Sequence, residues 1–238
     1  KPEIYYLEIQ ARSIELYLNS DFINNIIIVV NDDDYVCELI NLNWYGENKQ
    51  KVKIIPYSIY EYNFNNRASG WDNQQLCKIL TAGQSTQEWS MILDAKTYFI
   101  QSCNKETFFS NNRAVTGLQK PMKAFESAEK FVEKFFNLSL YYIVGPGGVP
   151  FIFHNPTVKS MIEDCEKMSN QTFIDFFLEN VCLPNHITEF VLYSGYIQYK
   201  YGKFTHLYTE SKIWECVNIA DWELENYDNL IVSMQGYK

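Results

Sequence analysis

Apolar and polar positions recur with two periods along this chain, and the switches between them mark its elements. Residues 5–19, YYLEIQARSIELYLN, carry apolar side chains at helical spacing, Ile9, Leu16 and Tyr17 among them, and predict a first helix. Ile26-Ile-Ile-Val-Val30 is an unbroken apolar run of the kind that fills a strand covered on both faces, and Asn31-Asp32-Asp33-Asp34 breaks it. Residues 35–45 predict a short helix, and Val52-Lys-Ile-Ile-Pro56 predicts a strand stopped by proline. The aromatic and polar segment 57–68 reads as a loop over the sheet edge.

The stretch 69–101 organises the rest. It reads as a helix, then a buried strand, Trp89-Ser-Met-Ile-Leu-Asp94, whose charged residues come only at its carboxyl end, Asp94-Ala95-Lys96. At about 100° per residue, Trp71, Gln74, Gln75 and Lys78 fall in one sector of the helix, with Leu76, Cys77, Ile79 and Leu80 opposite. Open α/β sheets place ligands at such strand ends, where side chains leave the packed layer. Residues 97–118 are irregular and polar, a connection or an acceptor loop. A helix is predicted over 121–137, with Pro121 near its start, and Gly145-Pro-Gly-Gly148 is a turn. Val149-Pro-Phe-Ile-Phe153 leads to His154, Asn155 and Pro156, where a helix to about 168 begins. Residues 171–182 form an aromatic helix, ended by Pro184-Asn185-His186. Thr188 caps the next, TEFVLYSGYIQYKYG, on which Glu189, Tyr193 and Tyr196 share a face. Strands are expected at 213–218 and 229–234. No repeat and no low-complexity linker marks a second domain, so 1–238 reads as one domain.

Composition narrows the classes. A 47% hydrophobic and 16% aromatic chain builds a large core. The net charge of −9 opposes a nucleic-acid polymer as partner, since such binding neutralises many phosphates; a single nucleotide diphosphate needs only a local cluster of donors. The six cysteines form no CxxC pair, which predicts reduced thiols and a cytoplasmic compartment. No apolar run reaches the length of a transmembrane helix, and no signal-peptide pattern opens the chain. It begins at Lys1 rather than Met, so residues upstream are expected to lie outside this sequence. Gly-x-Ser-x-Gly, His-x-x-x-His and dinucleotide fingerprints are all missing.

The pattern Gly70-Trp71-x-x-Gln74-Gln75-x-x-Lys78, followed by a strand ending Leu93-Asp94-Ala95-Lys96, resembles a glycosyltransferase-like family of bacteria and phages related to the nucleotide-diphospho-sugar transferases of GT-A fold. The resemblance implies an α/β chain with a GT-A-like (Rossmann-like), mainly parallel central sheet flanked by helices. Residues of about 1–118 would form the nucleotide-sugar side and the helix-rich 119–238 the acceptor side. It implies transfer of a sugar from a nucleotide sugar to a carbohydrate or other hydroxyl acceptor. Such a sheet has a strand before the first helix, which is not seen here; either it lies outside this sequence or the fold departs from the pattern.

By the same resemblance Asn31 and Asp32 end a strand that faces the nucleoside. Asp94-Ala95-Lys96 stands where an Asp-x-Asp motif would hold manganese or magnesium. A lysine in place of the second carboxylate disfavours a hard cation, so no metal ligands are assigned. Residues two apart in an extended chain point to one side, which lets Lys96 pair with phosphate while Asp94 binds ribose or an acceptor hydroxyl. Arg67 is a further phosphate contact. Gln74, Gln75 and Lys78 point to the mouth of the sheet, and Trp71 offers a stacking face. Glu189 is the expected general base, with Tyr193 and His154 toward the acceptor.

Each residue also has a plain structural reading. Asp94 and Lys96 can close a strand as an ion pair, Trp71 can anchor a core, His154 can pack on aromatics, and Glu189 can favour a helix dipole. A protein that keeps the fold and binds or assembles carbohydrate without turnover is the alternative of a different class.

Overall fold

The structure, a computed structural model, describes residues 2–31, 33–56, 58–59, 70–145, 150–182, 184–210 and 217–219. Helix α1, Pro2–Tyr17, leads to β1, Ile26–Val29, and 3-10 turns over Asp34–Leu39 and Leu42–Lys51 lead to β2, Val52–Ile55. Helix α2, Gly70–Gln84, is followed by β3, Trp89–Ile92, and β4, Thr97–Phe99. The segment read as irregular in sequence contains order: α3, Lys105–Phe108, then the hairpin β5, Phe109–Ser110, and β6, Arg113–Thr116. Asn104 and Thr107 cap α3 reciprocally, and Asn111 and Asn112 supply the positive φ the hairpin turn needs.

The second half holds β7, Leu118–Gln119, α4, Glu126–Phe136, β8, Ile143–Val144, and β9, Phe151–His154. Three helices follow: α5, Asn155–Ser169, α6, Phe173–Val181, and α7, Glu189–Tyr201. The last described strands are β10, Tyr208–Glu210, and β11, Val217–Ile219. The second strand expected in the tail, 229–234, lies outside the described residues. Thr172 and Thr188 accept backbone N–H groups at the starts of α6 and α7, the latter as the sequence predicts. Asn137, Asn170 and Gly202 end α4, α5 and α7 in the left-handed conformation.

The fold is mixed α/β. Its strands pair in small groups rather than in one continuous described sheet: β1 with β2 and β6 with β10 are parallel, while β3–β9, β4–β11, β5–β6 and β7–β8 are antiparallel. The core is strongly aromatic, with Phe153, Phe176, Phe177, Tyr193 and Tyr196 buried where α2, α5, α6 and α7 meet β9. A satellite cluster of Leu7, Val30 and Ile40 seals the carboxyl end of β1 against α1.

Candidate functional site

Three segments far apart in sequence meet at one ammonium group. Lys78, midway along α2, places Nζ 2.9 Å from Asp94 Oδ1 and 3.1 Å from Glu189 Oε1. Asp94 lies two residues beyond β3, and Glu189 is the first residue of α7. Side-chain exposure falls from 26% at Asp94 through 13% at Lys78 to 4% at Glu189, so the carboxylate of Asp94 is outermost and that of Glu189 innermost. Burial raises the Glu189 carboxyl above the usual range, and Lys78 offsets only part of that. Burial alone would lower Lys78; Glu189 and Asp94 outweigh it, and the ammonium is held more firmly than in water.

Gln75, one turn before Lys78, is 1% exposed. Its Oε1 accepts the backbone N–H of Glu189 at 3.2 Å, tying α2 to the start of α7, while its buried Nε2 has no hydrogen-bond partner. The turn that carries Asp94 is clamped from α1. Gln10 Nε2 donates to the carbonyls of Asp94 and Thr97, at 2.7 and 2.8 Å. Gln10 escaped the sequence reading; its only signal was a polar side chain between Ile9 and Ala11 on the buried face of an amphipathic helix.

A cavity of about 1000 Å³ opens beside the cluster, with Asn31, Gln74 and Lys78 on its wall. Asn31 also donates to the Gly70 carbonyl at 3.1 Å, linking the end of β1 to the start of α2. Other sequence candidates fall elsewhere. Trp71 is 54% exposed and does not line the cavity, so it is not a core anchor. Lys96 is half-buried in the turn after Asp94; it is Ala95, not Lys96, that lines the cavity, and the ammonium at Asp94 is that of Lys78. Asp32 and Arg67 lie outside the described residues.

His154 and Tyr193 sit at the other end of β3. His154 is opposite Trp89 in the β3–β9 pair, its ring 4.7 Å from the indole centroid and its Nδ1 2.8 Å from Thr157 Oγ1. The Tyr193 hydroxyl is fully enclosed, accepting from the His154 backbone N–H and hydrogen-bonded to Tyr208. The structure thus joins Gln75, Lys78, Asp94 and Glu189 in one cluster, sets Asn31 and Gln74 on the adjoining wall, and separates His154 and Tyr193 from both.

No group of three or more His, Cys, Asp or Glu side chains suited to a metal occurs among the described residues, and none of their helices is long and apolar enough to cross a membrane. No curated protein matches this sequence. Residues 2–223 match the model described as Family of unknown function (DUF6492), and the chain belongs to that family.

Proposed function

We propose that this chain is a glycosyltransferase that moves a sugar from a nucleotide-activated donor to a hydroxyl acceptor, with Lys78, Asp94 and Glu189 as its polar centre. The carrying observation is the ion cluster itself, at the carboxyl end of β3, with Lys78 on the wall of a large cavity. In this reading the parallel β1–β2 pair and β3 belong to a GT-A-like sheet, and the acceptor lies toward α7. The free thiols of Cys37, Cys77, Cys103, Cys165 and Cys182 accord with a cytoplasmic setting.

The roles follow from the gradient of exposure. A lysine has three N–H donors; Lys78 directs one at Glu189 Oε1 and lies 2.9 Å from Asp94 Oδ1 as an ion pair, and a further N–H serves a phosphate oxygen as charge builds on the departing diphosphate. Asp94, the outermost carboxylate, takes a donor or acceptor hydroxyl and is the group placed to receive its proton. Glu189, enclosed behind the ammonium, is a positioning residue that keeps Lys78 charged and aimed. This reverses the assignment expected from sequence, where Glu189 was the base. A divalent cation does not fit between these carboxylates, because the ammonium already stands there and repels it; no step is routed through a metal.

Thermal-shift and turnover assays with uridine, guanosine and thymidine diphosphate sugars, with and without manganese, test the reading. One nucleotide class should raise the melting temperature without added metal, and Asp94→Asn should keep the fold while turnover falls roughly 10²–10⁴-fold. Stabilisation by free glycans alone would favour the non-catalytic carbohydrate binder. Activity lost with chelator and restored by manganese would overturn the metal-independent mechanism.

A further inference from the structure

Helix α1 carries two polar side chains on its buried face, one turn apart, and both are committed to the backbone of one short segment. Gln10 Nε2 donates to the carbonyls of Asp94 and Thr97 at 2.7 and 2.8 Å, and Ser13 Oγ accepts the Phe99 N–H at 3.0 Å. Ser13 donates in turn to the Gln10 carbonyl at 2.7 Å. Just beyond, the Tyr17 carbonyl accepts from Cys103 N–H at 2.7 Å, and Asn19 N–H donates to the Cys103 carbonyl at 2.8 Å. Residues 94–103 are thus fastened along α1 in one register. Shifting the helix by a residue would break these bonds together and leave buried groups unpaired.

The end of that segment nearest the cluster carries Asp94. Strand β3 closes at Ile92 and β4 opens at Thr97, so residues 93–96 lie outside both. Within them the Asp94 carbonyl accepts the Thr97 N–H at 2.9 Å. That bond alone would leave the turn free to pivot. Gln10 prevents it by holding carbonyls at both ends of the turn, and one nitrogen with two hydrogens is what two converging carbonyls require. An ionised glutamate has no hydrogen to give, asparagine is a methylene shorter, and methionine has the length without a donor.

With its backbone fixed, Asp94 reaches Lys78 through side-chain rotation only, and its carboxylate stands 2.9 Å from the ammonium. Lys78 comes from α2 and is anchored separately, by Glu189 at 3.1 Å. The two halves of the ion pair therefore depend on different elements, and Gln10 is the link on the Asp94 side.

We infer that Gln10 is a positioning residue, which sets the Asp94 carboxylate in line with Lys78 and so aligns the proton acceptor with the departing diphosphate. From the proposed activity the inference takes only the role of Asp94. Misplacing a reacting group by about 1 Å costs on the order of 10²-fold in rate. The loss falls on kcat rather than on donor affinity, because Lys78, not Asp94, meets the diphosphate.

Double-mutant cycles of Lys78→Met and Asp94→Asn, read by urea unfolding, measure the coupling of the pair without any substrate. They are run in the parent, in Gln10→Met, and in Ser13→Ala, which frees Phe99 N–H but keeps both Gln10 bonds to the turn. The parent should show a coupling of about threefold or more in the unfolding constant. Gln10→Met should abolish it, and Ser13→Ala should preserve it. If Gln10→Met does not melt cooperatively, Gln10→Asn takes its place with the same expected loss. With a sugar nucleotide that the parent turns over, Gln10→Met should lower kcat roughly 10²-fold and leave the donor KM within about twofold. The inference is overturned if the parent shows no coupling, if the coupling survives the change at Gln10, or if Ser13→Ala abolishes it equally, so that any loosening of α1 suffices. A coupling that depends on Gln10 in a protein that transfers no sugar upholds the placement of Asp94 by Gln10 and removes the transferase reading instead.

Discussion

The Lys78 ammonium and the Glu189 carboxylate, 111 positions apart in the chain, lie 3.1 Å from each other in a place where the carboxylate is almost wholly enclosed. Removing one partner of a buried ion pair strands the other, at a cost of about 3–5 kcal/mol, whereas replacing both by apolar groups of similar volume is often neutral. Lys78→Met should therefore lower unfolding free energy by about that amount, and Lys78→Met with Glu189→Leu should recover most of it. Glu189→Gln should cost less than Lys78→Met, because Lys78 keeps Asp94 at 2.9 Å. Urea unfolding of the three variants checks the order; a Lys78→Met protein as stable as the parent would mean the pair carries no stability.

Gly195 sets how closely α7 approaches α4. A Cβ there would lie 2.0 Å from Val132 Cγ1, and a helical valine has little freedom to turn aside. In an open helix, Gly→Ala stabilises by about 1 kcal/mol; here overpacking of about 1–3 kcal/mol opposes it. Gly195→Ala should lower the melting temperature in the parent and raise it in a Val132→Ala background. The change of sign is the measurement.

Much of this arrangement could be read from sequence because it rests on local periods. The run at 26–29, the helix from Gly70, the strand at Trp89 and the Thr188 cap fall where the spacing puts them. The helical sector grouped Trp71, Gln74, Gln75 and Lys78, and Gln75 and Lys78 do both meet Glu189. Gln75, however, is buried off the cavity, Trp71 is exposed away from it, and Cys77, placed opposite by the spacing, lines it beside Gln74 and Lys78. The partner of Asp94 could not be read so. The two-residue alternation that paired it with Lys96 holds only in extended chain, and the chain turns there, with Thr97 N–H bonded to the Asp94 carbonyl at 2.9 Å. Gln10 was illegible for a related reason. Its acceptors are 84 and 87 positions away, and a glutamine on a helix has no meaning until the tertiary fold supplies them.

Tyr193 shares a helix with Glu189, yet its hydroxyl belongs to a different network. Tyr208 donates to the Ile152 carbonyl at 2.7 Å, so Tyr193 donates to Tyr208 and accepts from His154 N–H, 2.9 Å each. Tyr193→Phe leaves that amide without an acceptor in a buried place, a loss of about 1–3 kcal/mol. Stability should fall by that amount while affinity for any nucleotide sugar stays within twofold. Weakened binding at unchanged stability would return Tyr193 to the acceptor site.

His154 should make stability depend on pH. Burial against Trp89 lowers its pKa, and nearby Glu88 reverses only part of that. The unfolded imidazole, with its ordinary pKa near 6.5, then takes up its proton before the folded one as pH falls. Stability from this group is complete above about pH 7 and declines as pH drops toward the folded pKa, with a slope of at most about 1.4 kcal/mol per unit. His154→Asn keeps a polar group near Thr157 Oγ1, which lies 2.8 Å from Nδ1, but cannot take up a proton. The exposed His186 and His206 remain in both proteins and cancel in the comparison. The difference in unfolding free energy between parent and variant should be flat from pH 8 to 7 and shrink between pH 7 and 5. A difference that stayed constant throughout would show that the imidazole titrates alike in the folded and unfolded chains.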